Sequence, residues 1–229
     1  MTRFLFLAVL LVAVGLGLAV WRGDVVVPDR WNPWAPLDVT APPGVLTPFK
    51  LGLLEHDGDL CRAALASSDL TWTPLPDRSS DVGCGLTDAV PLTDAGPDFG
   101  EPLTATCRLA VAWALFERHE LQPAARAEMG ADVTGIGHYG THVCRNIAGS
   151  ARRSEHATAN ALDIASLTLS DGRTVSVRRH WDDDGARGRF LRRVRDGACR
   201  YFDVVLGPDY NAAHADHFHV DMGRFSTCR

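Results

Sequence analysis

The longest apolar stretch of the chain lies at its N-terminus. After Arg3, a run of 18 residues without a charge extends from Phe4 to Trp21. This length is at the lower limit for a helix that crosses a bilayer, and tryptophan favours the membrane interface, so the pattern predicts a membrane anchor. Gly17 and Ala19 also suit a signal-peptidase site, so a cleaved signal peptide is the alternative. In both cases Arg3 stays on the inner side of the membrane, and the chain after the apolar stretch is exported.

The pattern then loses its regularity. Residues 23–48 are rich in proline and tryptophan and have no periodic spacing of apolar positions, which predicts an extended linker. Trp31 and Trp34 are expected to lie on the domain or on the membrane surface. We therefore divide the chain into an anchor or signal peptide at 1–22, a linker at 23–48 and one folded domain at 49–229.

Helical spacing dominates the first half of this domain. Residues 103–121 carry an apolar stripe that predicts the strongest helix, with Thr104 as its cap. A short helix is predicted within residues 57–69, where aspartates stand near the N-terminus. Another is predicted at 123–130, where a proline suits the first turn and a glycine the end.

The second half alternates instead. Strands are predicted in ALDIASLTL and RTVSV, joined by a hairpin turn at Ser170–Gly172, and in YFDVVLG and HFHVDM. Between them, GRFLRRVRDGACR predicts an amphipathic helix with Phe190, Leu191 and Val194 turned inward. Helices followed by strands predict an α+β domain, in which helices pack on a small, mainly antiparallel sheet.

Charge and cysteine usage limit the classes of function. A net charge of −5 argues against nucleic-acid partners, and it weighs against a metal-dependent nuclease. The six cysteines form no C-x-x-C pair, and an even number in an exported domain predicts three disulfides. Sequence alone allows 15 pairings. We expect sequential pairs, as follows: Cys61–Cys84, Cys107–Cys144 and Cys199–Cys228.

Two short stretches concentrate the candidate chemistry. SEHATANALD places His156 seven residues before Asp163, and HADHFHVD holds three further histidines. In a strand, alternation places His217, His219 and Asp221 on one face. Imidazole and carboxylate are ligands that zinc accepts, so the two stretches together favour one metal site. The alternative is structural: a His–Asp hydrogen bond that ties a loop, and half-buried histidines on a strand.

The first stretch resembles the S-x-H-x-x-G-x-A-x-D motif of zinc D-Ala-D-Ala carboxypeptidases and related murein endopeptidases. Ser154, His156, Ala161 and Asp163 match that motif, whereas Ala159 stands where it has glycine. HADHFH resembles the H-x-x-H-x-H end of the penicillin-insensitive murein endopeptidases. More closely, CRNIAGSARRSEHATANALDIASLTLSDG and GACRYFDVVLGPDYNAAHADHFHVDM resemble the bacterial extensin-like C-terminal domain family, over residues from about 50 to 229.

The resemblance implies a LAS-type, hedgehog-like fold stapled by disulfides, and a zinc ion held by His156, Asp163 and His219. It implies that His217 contacts the attacking water or the developing oxyanion. The general base is left open among His217, His214 and Asp216, because Asp216 stands where vancomycin-resistance dipeptidases have a longer glutamate. The substrate contacts expected beside the ligands are the following: Ser154, Arg145 and Arg152, with Arg153 close to them.

Two functions follow as hypotheses. The first is a zinc peptidase that acts on peptidoglycan stem peptides or cross-links at the periplasmic side of the inner membrane, to which the N-terminal segment attaches it. The second is a non-catalytic, zinc-containing module of the same fold that binds cell-wall peptides or a protein. The hedgehog signalling domain has this type of zinc site without peptidase function, so the ligands alone do not separate the two hypotheses.

Overall fold

A computed structural model describes residues 2–93 and 96–229, in two compact units divided after Pro36. In the first unit, helix α1 (Thr2–Trp21) has no buried residue, and a 3-10 turn follows at Asp29–Trp31. Helix α1 is long and apolar enough to cross a membrane, a property that signal sequences share. The expectation of an apolar N-terminal helix is therefore confirmed, and its fate as anchor or cleaved signal stays a prediction.

The second unit, Leu37–Arg229, contains both helices and strands, in agreement with the predicted α+β class. Its described α-helices are α2 (Thr47–Leu53), α3 (Gly58–Leu65), α4 (Cys107–Phe116), α5 (Gln122–Met129), α6 (Val177–His180) and α7 (Ala186–Ala198). Its described strands are β1 (Ala89–Leu92), β2 (Leu103–Thr106), β3 (Val133–Gly140), β4 (Ala161–Leu169), β5 (Thr174–Ser176), β6 (Val204–Leu206), β7 (Phe218–Asp221) and β8 (Thr227–Cys228).

Local signals define the helices. Asp57 caps α3 by accepting a hydrogen bond from the backbone of Leu60 at 2.9 Å. The expected cap at Thr104 is wrong, because Leu103–Thr106 pairs with β1 as an antiparallel hairpin and α4 starts after it. Thr106 is the cap instead, and its hydroxyl accepts from the backbone of Leu109 at 3.2 Å.

The predicted hairpin and sheet are present. Strand order in the six-stranded sheet is β3-β4-β7-β6-β8, with β5 also paired to β4. The pairs are antiparallel except β6–β8, which is parallel. The turn between β4 and β5 uses Gly172 at φ +83°, a left-handed conformation that glycine adopts without strain.

One hydrophobic core joins the helices to the sheet. Helix α4 contributes Trp113 and Phe116, both fully buried, and α7 contributes the predicted inward residues Phe190 and Leu191. These side chains lie in the same cluster as β4 and β7 residues, so the expected packing of helices on a mainly antiparallel sheet is confirmed. Leu37 and Val39 belong to this core as well.

Three disulfides staple the second unit, as the cysteine count predicts. Their pairs are Cys61–Cys107, Cys84–Cys144 and Cys199–Cys228. The last of these agrees with sequential pairing, but the first two predicted pairs are wrong. The β1–β2 hairpin returns the chain to α3, which brings Cys107 to Cys61 and leaves Cys84 free to reach the segment after β3.

Candidate metal centre

Three buried side chains meet between strands β4 and β7. Asp163 and His219 are direct cross-strand partners, and Oδ1 of Asp163 lies 2.8 Å from Nδ1 of His219. His156 comes from the 3-10 turn Glu155–Thr158, which precedes β4. Its Nε2 lies 3.2 Å from Nδ1 of His219 and 3.2 Å from Oδ1 of Asp163. The sheet and one turn therefore bring together the three residues that the motif resemblance implies as ligands.

The turn that carries His156 is fixed at both ends. Ser154 is its N-cap, and the Ser154 hydroxyl accepts a hydrogen bond from the backbone of His156 at 3.3 Å. Ala159 ends the turn in a left-handed conformation, with φ +57°. Non-glycine residues rarely adopt this conformation, which gives a physical reason for the glycine that the related motif has at this position.

Hydrogen bonds to the second nitrogens orient both imidazoles. Nδ1 of His156 donates to the carbonyl oxygen of Thr141 at 3.1 Å, and Nε2 of His219 donates to Oδ2 of Asp221 at 2.8 Å. Outer partners of this kind fix the tautomer of metal-ligating histidines and raise their basicity. The remaining nitrogens, Nε2 of His156 and Nδ1 of His219, both face Asp163.

The spacing of these atoms suits a small tetrahedral ion. Zinc–nitrogen and zinc–oxygen distances of about 2.0–2.1 Å give ligand–ligand separations of about 3.3 Å in a tetrahedron. The three separations here are 2.8, 3.2 and 3.2 Å. Two imidazoles and one carboxylate also form a donor set that zinc accepts, and a fourth position would stay open for water or substrate.

In the metal-free state, electrostatic interactions stabilise the charged forms of Asp163 and His219. Burial favours the neutral acid, but contacts with His156 and His219 outweigh it and hold the pKa of Asp163 well below its ordinary value. Burial also lowers the pKa of His219, but hydrogen bonds to Asp163 and Asp221 outweigh this effect and raise it to about 9. Without a metal, His219 is therefore an imidazolium between two carboxylates, and a metal ion would replace the proton on Nδ1.

A second histidine lies beside the ligand cluster. His217 places its Nε2 3.7 Å from Oδ1 of Asp163, and its Nδ1 donates to Oδ1 of Asp216 at 2.8 Å. Tyr139 donates its hydroxyl to the other oxygen of Asp216 at 3.3 Å, and its ring meets the His217 ring edge-on at 5.4 Å. The hydrogen bond from His217 lowers the pKa of Asp216, so that carboxylate stays charged.

His214 completes the row of rings, with its centroid 5.2 Å from His217 and 5.9 Å from His219. Its Nδ1 donates to the amide oxygen of Asn211 at 2.8 Å. Burial and the neighbouring histidines lower the pKa of His214 to about 4, so it is neutral at physiological pH. His214 therefore lies next to the cluster as a neutral imidazole.

The three predicted substrate contacts have different surroundings. Ser154 is buried, and its hydroxyl serves the turn as described above. Arg145 is exposed, and its charge is one of the causes that lower the pKa of His214. The guanidinium of Arg152 lies over the ring of Phe225, 4.6 Å from its centroid.

The structure also connects Thr141, Asp221 and Tyr139 to the centre, and none of them is among the predicted site residues. A signal was available for Asp221, because the alternation in HFHVD places it on the face of His219. Thr141 acts through its backbone carbonyl, which side-chain identity does not reveal.

Residues 59–229 match the family model described as Extensin-like protein C-terminus. No curated protein and no solved structure matches the chain.

Proposed function

We propose that this chain, which belongs to the Extensin-like protein C-terminus family, is a zinc-dependent peptidase that acts on the stem peptides or cross-links of peptidoglycan. The observation that carries the proposal is the convergence of His156, Asp163 and His219, with the second nitrogen of each imidazole held by an acceptor. The substrate class rests on the resemblance of SEHATANALD and HADHFH to motifs of murein peptidases.

His156, Asp163 and His219 would hold the ion through Nε2, Oδ1 and Nδ1. When bound, zinc would supply a Lewis acid for the peptide carbonyl and would lower the pKa of a coordinated water to about 7. Burial of all three side chains keeps bulk water away, which strengthens the electrostatic interactions at the centre.

His217 is the general base in this proposal, rather than Asp216 or His214. Its Nδ1–H is committed to Asp216, so Nε2 presents a lone pair on the side of Asp163. That nitrogen can take a proton from water and return it to the leaving amine. Asp216 acts through His217: it fixes the tautomer and stabilises the imidazolium that forms, and Tyr139 holds its second oxygen.

We assign the orientation of the substrate to exposed residues beside the centre. Stem peptides carry free carboxylates, and an arginine binds a carboxylate through two parallel hydrogen bonds. Arg145 suits this contact because it is exposed and its charge acts on His214. Neutral His214 can form a further hydrogen bond to the substrate, whereas Ser154 supports the turn of His156.

The periplasmic side of the inner membrane is the proposed location. The apolar helix α1 supports membrane attachment or export, and the three disulfides support an oxidising compartment. Peptidoglycan is accessible from that side, so location and substrate agree.

The test combines metal content with turnover. The full-length chain, purified in detergent with its disulfides intact, is analysed for zinc and then incubated with linear and cross-linked muropeptides, whose products are read by mass spectrometry. About one zinc ion per chain together with a defined cleavage product would support the proposal. Zinc without any product would favour the non-catalytic binding module, and no zinc after reconstitution would overturn the metal site itself.

A further inference from the structure

The metal ligand His156 is held by a ribbon outside the main sheet. Beyond β3, the chain runs antiparallel to the segment that leads into the His156 turn. The two segments form the following backbone bonds: Val143 N to His156 O at 3.0 Å, Ser154 N to Arg145 O at 3.2 Å, and Ile147 N to Arg152 O at 2.9 Å. The bond from His156 Nδ1 to Thr141 O extends the same pairing to the imidazole itself. The position of the ligand therefore depends on the ribbon, which is residues 141–156.

This ribbon has little apolar burial of its own. Every side chain from His142 to Arg153 is exposed, and this set includes Val143 and Ile147. An isolated two-stranded ribbon is only marginally stable in water. Its order must therefore come from attachment to the rest of the domain.

A disulfide makes that attachment at the centre of the ribbon. Cys144 stands between Val143 and Arg145, whose backbones bond the His156 turn, and it is joined to Cys84. On the Cys84 side, the backbone of Cys84 donates to the hydroxyl of Ser80 at 3.2 Å. The anchor is therefore built into a turn and not into a loose end.

The segment that carries Cys84 also packs under the metal ligand turn. Leu86 and Ala89 form a small buried cluster with Ala159, the residue that ends the turn of His156. Arg78 and Leu86 exchange two backbone hydrogen bonds, which close the loop that holds Cys84. The segment of Cys84 therefore contacts the His156 turn in two ways. Leu86 packs on Ala159 at the end of the turn, and the Cys84–Cys144 disulfide joins the ribbon that pairs with it.

We infer that the Cys84–Cys144 disulfide positions His156 and thereby sets the metal affinity of the centre. The inference rests on the proposed metal site for its function, but the positioning itself is independent of the bound ion. Asp163 and His219 come from paired strands of the sheet, so His156 is the ligand whose place depends on this covalent tie.

The test compares two matched disulfide deletions in the full-length chain in detergent. The variant Cys84→Ser/Cys144→Ser removes the proposed tie. The control Cys199→Ser/Cys228→Ser removes a disulfide that likewise joins one half-buried and one exposed cysteine, but at β8. Zinc affinity is measured by competition with a chromophoric chelator. We expect an affinity loss of about tenfold or more in the first variant and little change in the control. Equal affinity in both variants would overturn the inference.

Hydrogen exchange separates this inference from the proposed function. The amides of Val143 and Ser154 donate the ribbon bonds, so peptides that cover residues 141–156 should exchange about tenfold faster in the Cys84→Ser/Cys144→Ser variant, with or without zinc. If the wild-type chain binds no zinc, the proposed function fails, and exchange alone decides the positioning role. Unchanged exchange in the ribbon would overturn that role whatever the metal result.

Discussion

Asp163 and His219 face each other directly across strands β4 and β7, with 2.8 Å between Oδ1 and Nδ1. A slip of one residue in this pairing would turn one of these side chains to the opposite face of the sheet. The register of the sheet therefore places two of the three candidate ligands. His156 completes it from a turn, which is why the centre needs a second support in the ribbon.

Asp221 should be necessary for tight metal binding although it is not a ligand. Its carboxylate holds Nε2 of His219 at 2.8 Å, and outer partners of metal-ligating histidines are worth about 10- to 100-fold in affinity. We expect Asp221→Asn to weaken zinc binding by that factor in a chelator competition assay. Asp216→Asn is the control, because Asp216 bonds His217 and no ligand. A similar loss in both variants would contradict the role given to Asp221.

The metal-free protein should lose stability as pH rises above neutrality. Folding raises the pKa of His219 from 6.5 to about 9, so its stabilising effect is complete below pH 6.5 and is lost as pH rises through 9. The loss is about 3 kcal/mol at most. It can be measured by chemical denaturation with a chelator present. In zinc-loaded protein the Nδ1 proton is absent, so the same pH window should show a smaller change, and an identical change would contradict this explanation.

Much of the fold follows from local pattern. The alternation around Ser170–Gly172 predicts the hairpin, and the stripe of Phe190, Leu191 and Val194 predicts α7, because burial on one face gives each element its period. The start of α4 does not follow, because Leu103–Thr106 fits helical spacing and takes strand geometry only through pairing with β1. That partner lies outside the segment, so the local pattern of Leu103–Thr106 does not contain it.

The candidate centre, like the fold, is predictable from the sequence only in part. Residue type and spacing favour one metal site within the two short stretches, and the choice of His156, Asp163 and His219 as its ligands comes from the motif resemblance. The acceptors for the second nitrogens are not selected, because one is a backbone carbonyl at Thr141 and the other an aspartate that also suits a solvated surface. Disulfide pairing fails for a related reason: it depends on which segments the fold brings together, and Cys84 meets Cys144 only through the ribbon.

Thr106, not Thr104, should be the threonine whose loss destabilises the domain. Thr106 caps α4 and also donates its hydroxyl to the side chain of Asn160 at 2.8 Å. Loss of an N-cap costs about 1 kcal/mol, so Thr106→Ala should lower the free energy of unfolding by about that amount or more. Thr104→Ala is a matched control, because Thr104 lies on the same strand and is similarly half-buried. Equal effects of the two changes would argue against the corrected start of α4.

The two matched disulfide deletions should destabilise the domain to a similar extent. Cys84–Cys144 closes 60 residues and Cys199–Cys228 closes 29, and the cost of losing a loop of either length is about 4 kcal/mol in the chain-entropy description. Thermal unfolding of both variants measures this. If only the first variant were destabilised, its lower zinc affinity would be explained by general loss of structure. The two variants must therefore unfold at comparable temperatures before a difference in affinity is assigned to the position of His156.

His217 should be required for turnover but not for metal binding. Its Nε2 is 3.7 Å from Oδ1 of Asp163, and its Nδ1 is committed to Asp216, so we expect its removal to leave the three ligands and their outer partners unchanged. General acid–base catalysis contributes about 100- to 10,000-fold, and we expect His217→Ala to lower kcat with muropeptides by a factor in that range. Zinc content should stay the same, as it should in the control His56→Ala, which removes an exposed histidine on the turn after α2. Unchanged turnover with zinc bound would remove His217 from the mechanism and return the role of base to Asp216 or His214, whereas loss of zinc would mean that His217 supports the ligand cluster itself.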